Sequence, residues 1–380
     1  MARKRGKRGD SRKRQRAQQR AQYDELDKYP VMPPHAFARI VRDKATLNII
    51  YQIIEPPMTK KEEQYREEIM DIFIRSLTAN IDEIDANPEA YLRTGMDKVI
   101  KSYGMKINKK SKSKIFYYLR RDLIGYGDMD VLMNDANVED ISCDGTNIPI
   151  FAYHRKFESV ETTCIWKTDD ELESYVIKLA QRCGKHISVA DPLLDATLMD
   201  GSRIVMKLGH EVSTRGSSFC IRRFKEDPFS PADIIAFRTM SSLMVSYLWI
   251  AFQNEVPMLF VGGTASGKTT TLNAMCIFIP WQMKIVSIES TREVNIPQPN
   301  WVPGLTRQGF GGESTEGVIG EFELLKAALR ERPEYIIVGE IRGAEAYVLF
   351  QAMATGHCAY STVHADSVPS LVHRLENKPI

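Results

Sequence analysis

Gly262, Gly263, Thr264, Ala265, Ser266, Gly267, Lys268 and Thr269 stand in the order G-x-x-x-x-G-K-T, a pattern whose chemistry is phosphate binding. Its glycines let main-chain N–H groups face a polyphosphate, at a helix N-terminus that already favours anions. Lys268 is suited to the β and γ phosphates, the Thr269 hydroxyl to Mg²⁺, and Thr270 extends the cradle, so ATP and Mg²⁺ are the implied ligands. Seventy residues on, the apolar run YIIVG ends in Glu340, where P-loop proteins carry the carboxylate that meets Mg²⁺ or its water shell. No Asp precedes it, so Glu340 holds that role alone. A third apolar run, KIVSI, ends in Glu289, with Glu293 four residues further. One of Glu289, Glu293 and Glu340 should activate the attacking water as general base, and the residues leave the choice open.

Two histidines, His357 and His364, flank the run CAYSTV. A single histidine is ordinarily a surface or core residue, but at the edge of a P-loop sheet one could hydrogen-bond the γ-phosphate. Phosphoryl transfer also needs a cation for the developing charge. Arg203, Arg222, Arg223, Arg307, Arg330, Arg332 and Arg342 are the candidates, those in the middle of the chain only if their domain faces the nucleotide.

These residues need a parallel sheet to position them. MLFVGG, KIVSIES, YIIVGE and CAYSTVH are continuous apolar strands separated by helical stretches, the signature of a sheet covered on both faces. They predict a parallel-sheet α/β domain over 236–380, and the resemblance of its motifs to a known ATPase family implies that it is RecA-like. A linker containing DPFSP occupies 225–235. Before it, 126–224 reads as a small α+β domain of short strands around one helix, TDDELESYVIKLAQRCG, with Thr168 and Glu171 as capping box and Gly184 as its stop. The segment 26–125 reads as mainly α-helical, opened by a second capping box at Thr59 and Glu62. Residues 1–25 read as a disordered basic tail.

The formal net charge of +2 conceals an asymmetry: residues 1–20 hold ten Lys and Arg against one Asp, leaving −7 for the other 360. No secretory signal follows the basic start. The uncharged run Thr239–Asn254 is shorter than the roughly 20 residues of a membrane span and reads as a buried helix. The six cysteines never form CxxC, which argues against a zinc site and for free thiols in a reducing cytoplasm.

The ordered set of GGTASGKT, SIESTRE, LRERPEYIIVGEIRG and ATGHCAYSTVHA resembles the Walker A, Asp box, Walker B and His box of the type II/type IV secretion ATPases. DGSRI and IRRF are similar to the arginine motifs of that superfamily's N-terminal domain, and RDLIGYGDMDVLMNDANVEDISCDGTNIPIFAYHRKFES resembles its archaeal, pilus and archaellum branch. The likeness covers roughly residues 115–380. It implies a homohexameric ring that hydrolyses ATP, with Arg203, Arg222 and Arg223 reaching the phosphates across an interdomain cleft. Opening of that cleft would drive a polytopic membrane platform protein and so a type IV pilus-like filament, an archaellum or secretion. The localisation implied is cytoplasmic and peripheral to the membrane, with residues 1–20 able to contact anionic lipid. The chain departs from the family where Glu289-Ser290 replaces Glu-Asp, and it stops soon after the His box, which reads as a C-terminal truncation. The alternative is a nucleic-acid translocating RecA-like motor. The acidic body lacks a basic stripe interleaved with aromatics, so no nucleic acid is expected. A small-molecule kinase or transporter ATPase leaves the N-terminal half unexplained and lacks an LSGGQ-like signature.

Overall fold

Buried and open positions alternate along AFARIVRD, and β-branched residues dominate IIYQII, so both favour strand. They form β2 (Ala36–Asp43) and β3 (Ile49–Ile54), which follow β1 (Tyr23–Met32) in an antiparallel meander. The computed structural model describes residues 22–75, 87–224, 228–264, 266–307, 317–341, 343 and 345–376. The basic stretch 1–20, Ala265, Arg342 and part of the linker lie outside the described residues. The start of 26–125 is thus sheet rather than helix, and β1 begins inside the span expected to be disordered. Pro30 sits in an edge strand, where a missing N–H is tolerated.

Helices α1 (Lys60–Arg75), α2 (Pro88–Ser102) and α3 (Lys109–Leu123) follow and pack through Ile69, Leu92, Met96, Ile115 and Leu119. The capping box at α1 is formed, with Glu62 N–H donating to Thr59 Oγ1 at 3.3 Å and Thr59 N–H to Glu62 Oε2 at 2.8 Å. After the short helix α4 (Asp130–Asn134) come β4 (Val138–Cys143), β5 (Phe151–His154), β6 (Glu158–Thr162), α5 (Asp169–Arg182), β7 (Leu193–Thr197), β8 (Arg203–Lys207) and β9 (Ser218–Arg222). Thr168 caps α5, and Gly184 follows its end at φ +66°. All nine strands share one sheet in the order β1-β2-β3-β6-β5-β4-β9-β8-β7. The segments read as separate domains, 26–125 and 126–224, therefore contribute to a common sheet through the parallel pair β3–β6.

The chain divides into two compact units, one of residues to Ala196 with Ile204–Arg223, the other of Thr197–Arg203 with the residues from Phe224 onward. The second unit contains α6 (Pro231–Ala236), α7 (Ser242–Gln253), β10 (Met258–Gly262), α8 (Lys268–Met275), β11 (Ile285–Glu289), β12 (Trp301–Leu305), α9 (Glu321–Ala328), β13 (Tyr335–Val338), α10 (Glu345–Ala354), β14 (Cys358–His364) and α11 (Val368–Glu376). Its five strands run parallel in the order β10-β14-β13-β11-β12. One face carries a core around Phe252, Leu272, Met275 and Tyr360, the other a core around Ile336, Ala346, Leu349 and Ala359. Two-sided burial is why β11 and β13 read as unbroken apolar runs. This is the RecA-like α/β layout, with β14 inserted between the P-loop strand and the strand that leads to Glu340.

Two expectations change here. The run expected as a buried helix, α7, turns Val245, Ala251 and Phe252 inward but leaves Leu243, Met244, Tyr247 and Ile250 exposed. Strand β12, WVPGL, was not expected from the sequence; it is an edge strand, where Pro303 is tolerated. Among the described residues no helix is long and apolar enough to cross a membrane.

Candidate functional site

Parallel strands deliver their carboxyl ends to one edge of the sheet, and ligands of such sheets bind there. In the second unit that edge collects the P-loop after β10, His364 at the end of β14, Glu340 just past β13 and Glu289 at the end of β11. The register pairs Gly262 with His364, so the histidine lies beside the start of the loop.

The loop geometry explains its glycines. Gly267 precedes α8 at φ +84°, a left-handed conformation that side chains disfavour. A Cβ on Gly262 would lie 2.6 Å from Ser266 Oγ, so a side chain there would turn the Ser266 hydroxyl away from its bond to the Gly263 carbonyl. Ser266 Oγ and Lys268 Nζ both donate to the Gly263 carbonyl, at 2.8 and 2.6 Å. Lys268 Nζ also lies 3.5 Å from His364 Nδ1. Thr264 and Thr270 are exposed, Thr269 is half-buried on the first turn of α8, and Ala265 is outside the described residues.

His364 Nε2 faces Glu340 Oε1 at 3.4 Å, so Lys268, His364 and Glu340 form a continuous polar row. A lysine ammonium can only donate, so Nδ1 accepts and Nε2 carries the hydrogen toward Glu340. The Glu340 backbone is pinned from β14: Thr362 Oγ1 donates to the Gly339 carbonyl at 2.6 Å, and Ile341 N–H donates to the Thr362 carbonyl at 3.0 Å.

Glu289 differs from the other two glutamates. Its side chain is buried at 2 % exposure, and Oε1 accepts the backbone N–H groups of Glu293 and Val294, each at 2.9 Å. Oε2 is buried with no hydrogen-bond partner among the described residues. Burial pushes its carboxyl up to about 7, against the pull of those two N–H groups. Gly339 makes room for it, since a Cβ there would stand 3.1 Å from Glu289 Cγ. Glu293 has an exposed side chain and enters the site through its main chain, and Ser290 is exposed too. The Glu293 and Val294 amides and Thr362 had no signal in the sequence, because they act through backbone atoms or behind the strand end.

The structure separates the two histidines. His357 precedes β14, roughly 20 Å of strand from His364 at about 3.3 Å per residue, and its Nδ1 lies 3.4 Å from Thr355 Oγ1. Strand direction places only His364 at the phosphate end. Among the arginines, Arg203 opens β8 and is half-buried. Arg222 ends β9, is largely exposed and lies 3.4 Å from its cross-strand neighbour Asp140. Arg223 is turned into its own sheet, donating to the Asp135 carbonyl and, at 3.1 Å, to that of Val138. Arg307 donates to the Gly317 carbonyl at 2.8 Å, while Arg330 and Arg332 are exposed. All six cysteines are free thiols.

The residues present fit a magnesium-bound nucleoside triphosphate. The loop offers a glycine-lined backbone, Lys268 is satisfied by a carbonyl that a phosphate oxygen can replace, and Thr269 and Glu340 supply hard oxygen ligands. Among the described residues no three His, Cys, Asp or Glu side chains converge on a cation position.

The fold and this edge define a P-loop nucleotide-binding protein. Residues 157–378 match the family described as Type II/IV secretion system protein, and the chain belongs to that family. It is 42% identical over 276 residues to MJ0900, an uncharacterized protein of Methanocaldococcus jannaschii, a match covering 73% of this chain and 49% of MJ0900. The chain thus spans about half the length of that relative. It is 30% identical over 230 residues to the type IV secretion system protein PtlH of Bordetella pertussis, covering 55% of this chain and 67% of PtlH. Among solved structures, the Legionella pneumophila ATPase DotB shares 22% identity at a TM-score of 0.44, over 63% of this chain and 65% of that one.

Proposed function

We propose that this chain is the ATP-hydrolysing core of a motor for type IV pilus-like filament assembly, archaellum rotation or secretion. The observation that carries the chemistry is Glu289. It is a buried carboxylate with one oxygen fixed by two main-chain N–H groups and the other uncommitted, at the strand edge that carries the P-loop. The phosphates would lie in the 262–269 loop, where Lys268 exchanges the Gly263 carbonyl for phosphate oxygens. Thr269 and Glu340 would hold Mg²⁺, Glu340 directly or through water, and the ion supplies charge neutralisation at the transferred phosphoryl group. Glu289 Oε2 then takes a proton from the attacking water, with Oε1 anchored so that the carboxylate does not swing. His364, placed between Lys268 and Glu340, would report the arrival of the γ-phosphate to both.

Family membership and the name of PtlH support a secretion system as the setting. In this reading the chain works as a homohexamer in the cytoplasm against the membrane, pushing a polytopic platform protein. Arg203 and Arg222 supply charge to the nucleotide on closure, Arg223 is committed to the Asp135 and Val138 carbonyls of its own sheet, and residues 1–20 contact anionic lipid. The test is light-scattering mass with and without a non-hydrolysable ATP analogue and Mg²⁺. A nucleotide-dependent six-subunit species supports the ring, and a monomer under both conditions removes it for this chain.

A further inference from the structure

Arg292 lies in the loop between β11 and β12, next to the two amides that fix Glu289. Its guanidinium carbon is 5.4 Å from the Phe224 ring centroid and 5.5 Å from that of Trp301, within the range of cation–π attraction. Arg292 Nε is buried with no hydrogen-bond partner among the described residues. A guanidinium gives up hydrogen bonding at a buried nitrogen only where other contacts hold it, and here two aromatic faces do so.

Both rings are themselves anchored. Trp301 Nε1 donates to Ser287 Oγ at 2.9 Å, two residues before Glu289 on β11. Phe224 N–H donates to Ser202 Oγ at 3.0 Å, and Ser202 Oγ donates to Asp200 Oδ2 at 3.0 Å. Gly201 stands at φ +84°, and a Cβ there would be 3.2 Å from the Phe224 ring, so the loop is shaped around that ring. In the chain, Phe224 directly follows Arg222-Arg223 and Ser202 directly precedes Arg203. The arginine motifs are therefore covalently continuous with the two residues that grip one another beside Arg292.

We propose that Arg292, held by the Phe224 and Trp301 rings, is a positioning residue for Glu289: it fixes the loop whose Glu293 and Val294 amides orient the base. This rests on the ATPase reading above. Among the described residues, the charged and titratable groups that act on Glu289 include Arg292 and Glu293 on the loop and the Cys276 thiol after α8. Arg292 is the cation among them, so its charge favours the ionised base.

The experiment compares the full chain with Arg292→Gln, Arg292→Lys and Phe224→Leu. Turnover is read against pH, nucleotide affinity with a fluorescent ATP analogue, and amide hydrogen exchange at Glu293 and Val294. Arg292→Gln is expected to lower kcat at least tenfold, in keeping with losses of about 100-fold for a 1 Å misplacement. KM and nucleotide affinity should stay within about twofold, while the acid limb of the rate profile moves to higher pH. Arg292→Lys should return the limb but only part of kcat, since it keeps the charge and loses the planar guanidinium that lies by both rings. Exchange at Glu293 and Val294 should quicken in Arg292→Gln and in Phe224→Leu. Unchanged exchange and an unchanged acid limb overturn the proposal, as does a loss of turnover matched by an equal loss of nucleotide binding. A wild-type chain that binds no nucleotide refutes the ATPase reading instead, and the exchange measurement still decides whether Arg292 holds the loop.

Discussion

Glu289→Gln isolates the energetic consequence of burying a carboxylate. A group whose folded pKa lies above its unfolded value binds its proton more tightly in the folded state. It therefore stabilises the fold at low pH, and that stability is lost as pH rises from the unfolded value toward the folded one. For Glu289 these values are 4.5 and about 7. At about 1.36 kcal/mol per unit, the loss between pH 5 and pH 8 comes to roughly 2.5 kcal/mol. Glutamine has no such dependence. Its own cost, an NH₂ group of about 1–3 kcal/mol placed where Oε2 lacks a partner, is the same at both pH values and cancels in the difference. The stability of Glu289→Gln minus that of wild type should thus rise by about 2.5 kcal/mol from pH 5 to pH 8. Denaturant unfolding followed by tryptophan fluorescence reads this well, because Trp249, Trp281 and Trp301 lie in the second unit and only Trp166 in the first. A difference that stays flat across this range refutes the argument, since Glu289 would then ionise like a solvated carboxylate.

Lys268→Ala removes the only side-chain charge in the phosphate loop and should abolish both tight binding of an ATP analogue and turnover, checked by equilibrium titration. Gly339→Ala places a methyl 3.1 Å from Glu289 Cγ; it should destabilise the second unit by about 1–3 kcal/mol and lower kcat more than it weakens nucleotide binding. Arg222→Ala loses only an exposed pair with Asp140 and should leave stability within about 0.5 kcal/mol. If Arg222 serves the nucleotide, that same variant slows turnover with binding intact. Deleting residues 1–20 should abolish salt-sensitive binding to anionic liposomes, measured by co-sedimentation.

The P-loop was legible because its chemistry is local: eight consecutive residues and the two elements around them define the phosphate cradle. The burial and anchoring that set Glu289 apart from Glu293 and Glu340 were not, because they depend on which carboxylate the 290–294 loop folds over. The amides that do this belong to Glu293 and Val294, whose side chains give no hint of it. His357 and His364 look equivalent in sequence, and only the direction of β14 tells them apart. Strands β1 and β12 were not legible as strands; both lie at sheet edges, where Pro30 and Pro303 do little harm. Helix α7 misled in another way. Its composition is that of a core helix, yet one face carrying Leu243, Tyr247 and Ile250 stays exposed within this unit. Apolar content alone does not say what covers it.

Phosphate release from Mg·ATP by the purified chain, beside Lys268→Ala and Glu289→Gln, with nucleotide binding measured on the same samples, tests the central claim most directly. The account requires wild type to bind and hydrolyse, Lys268→Ala to do neither, and Glu289→Gln to bind as wild type does while releasing phosphate at least about 100-fold more slowly. Hydrolysis by Glu289→Gln at the wild-type rate would contradict it, and so would a wild-type chain that binds Mg·ATP without cleaving it.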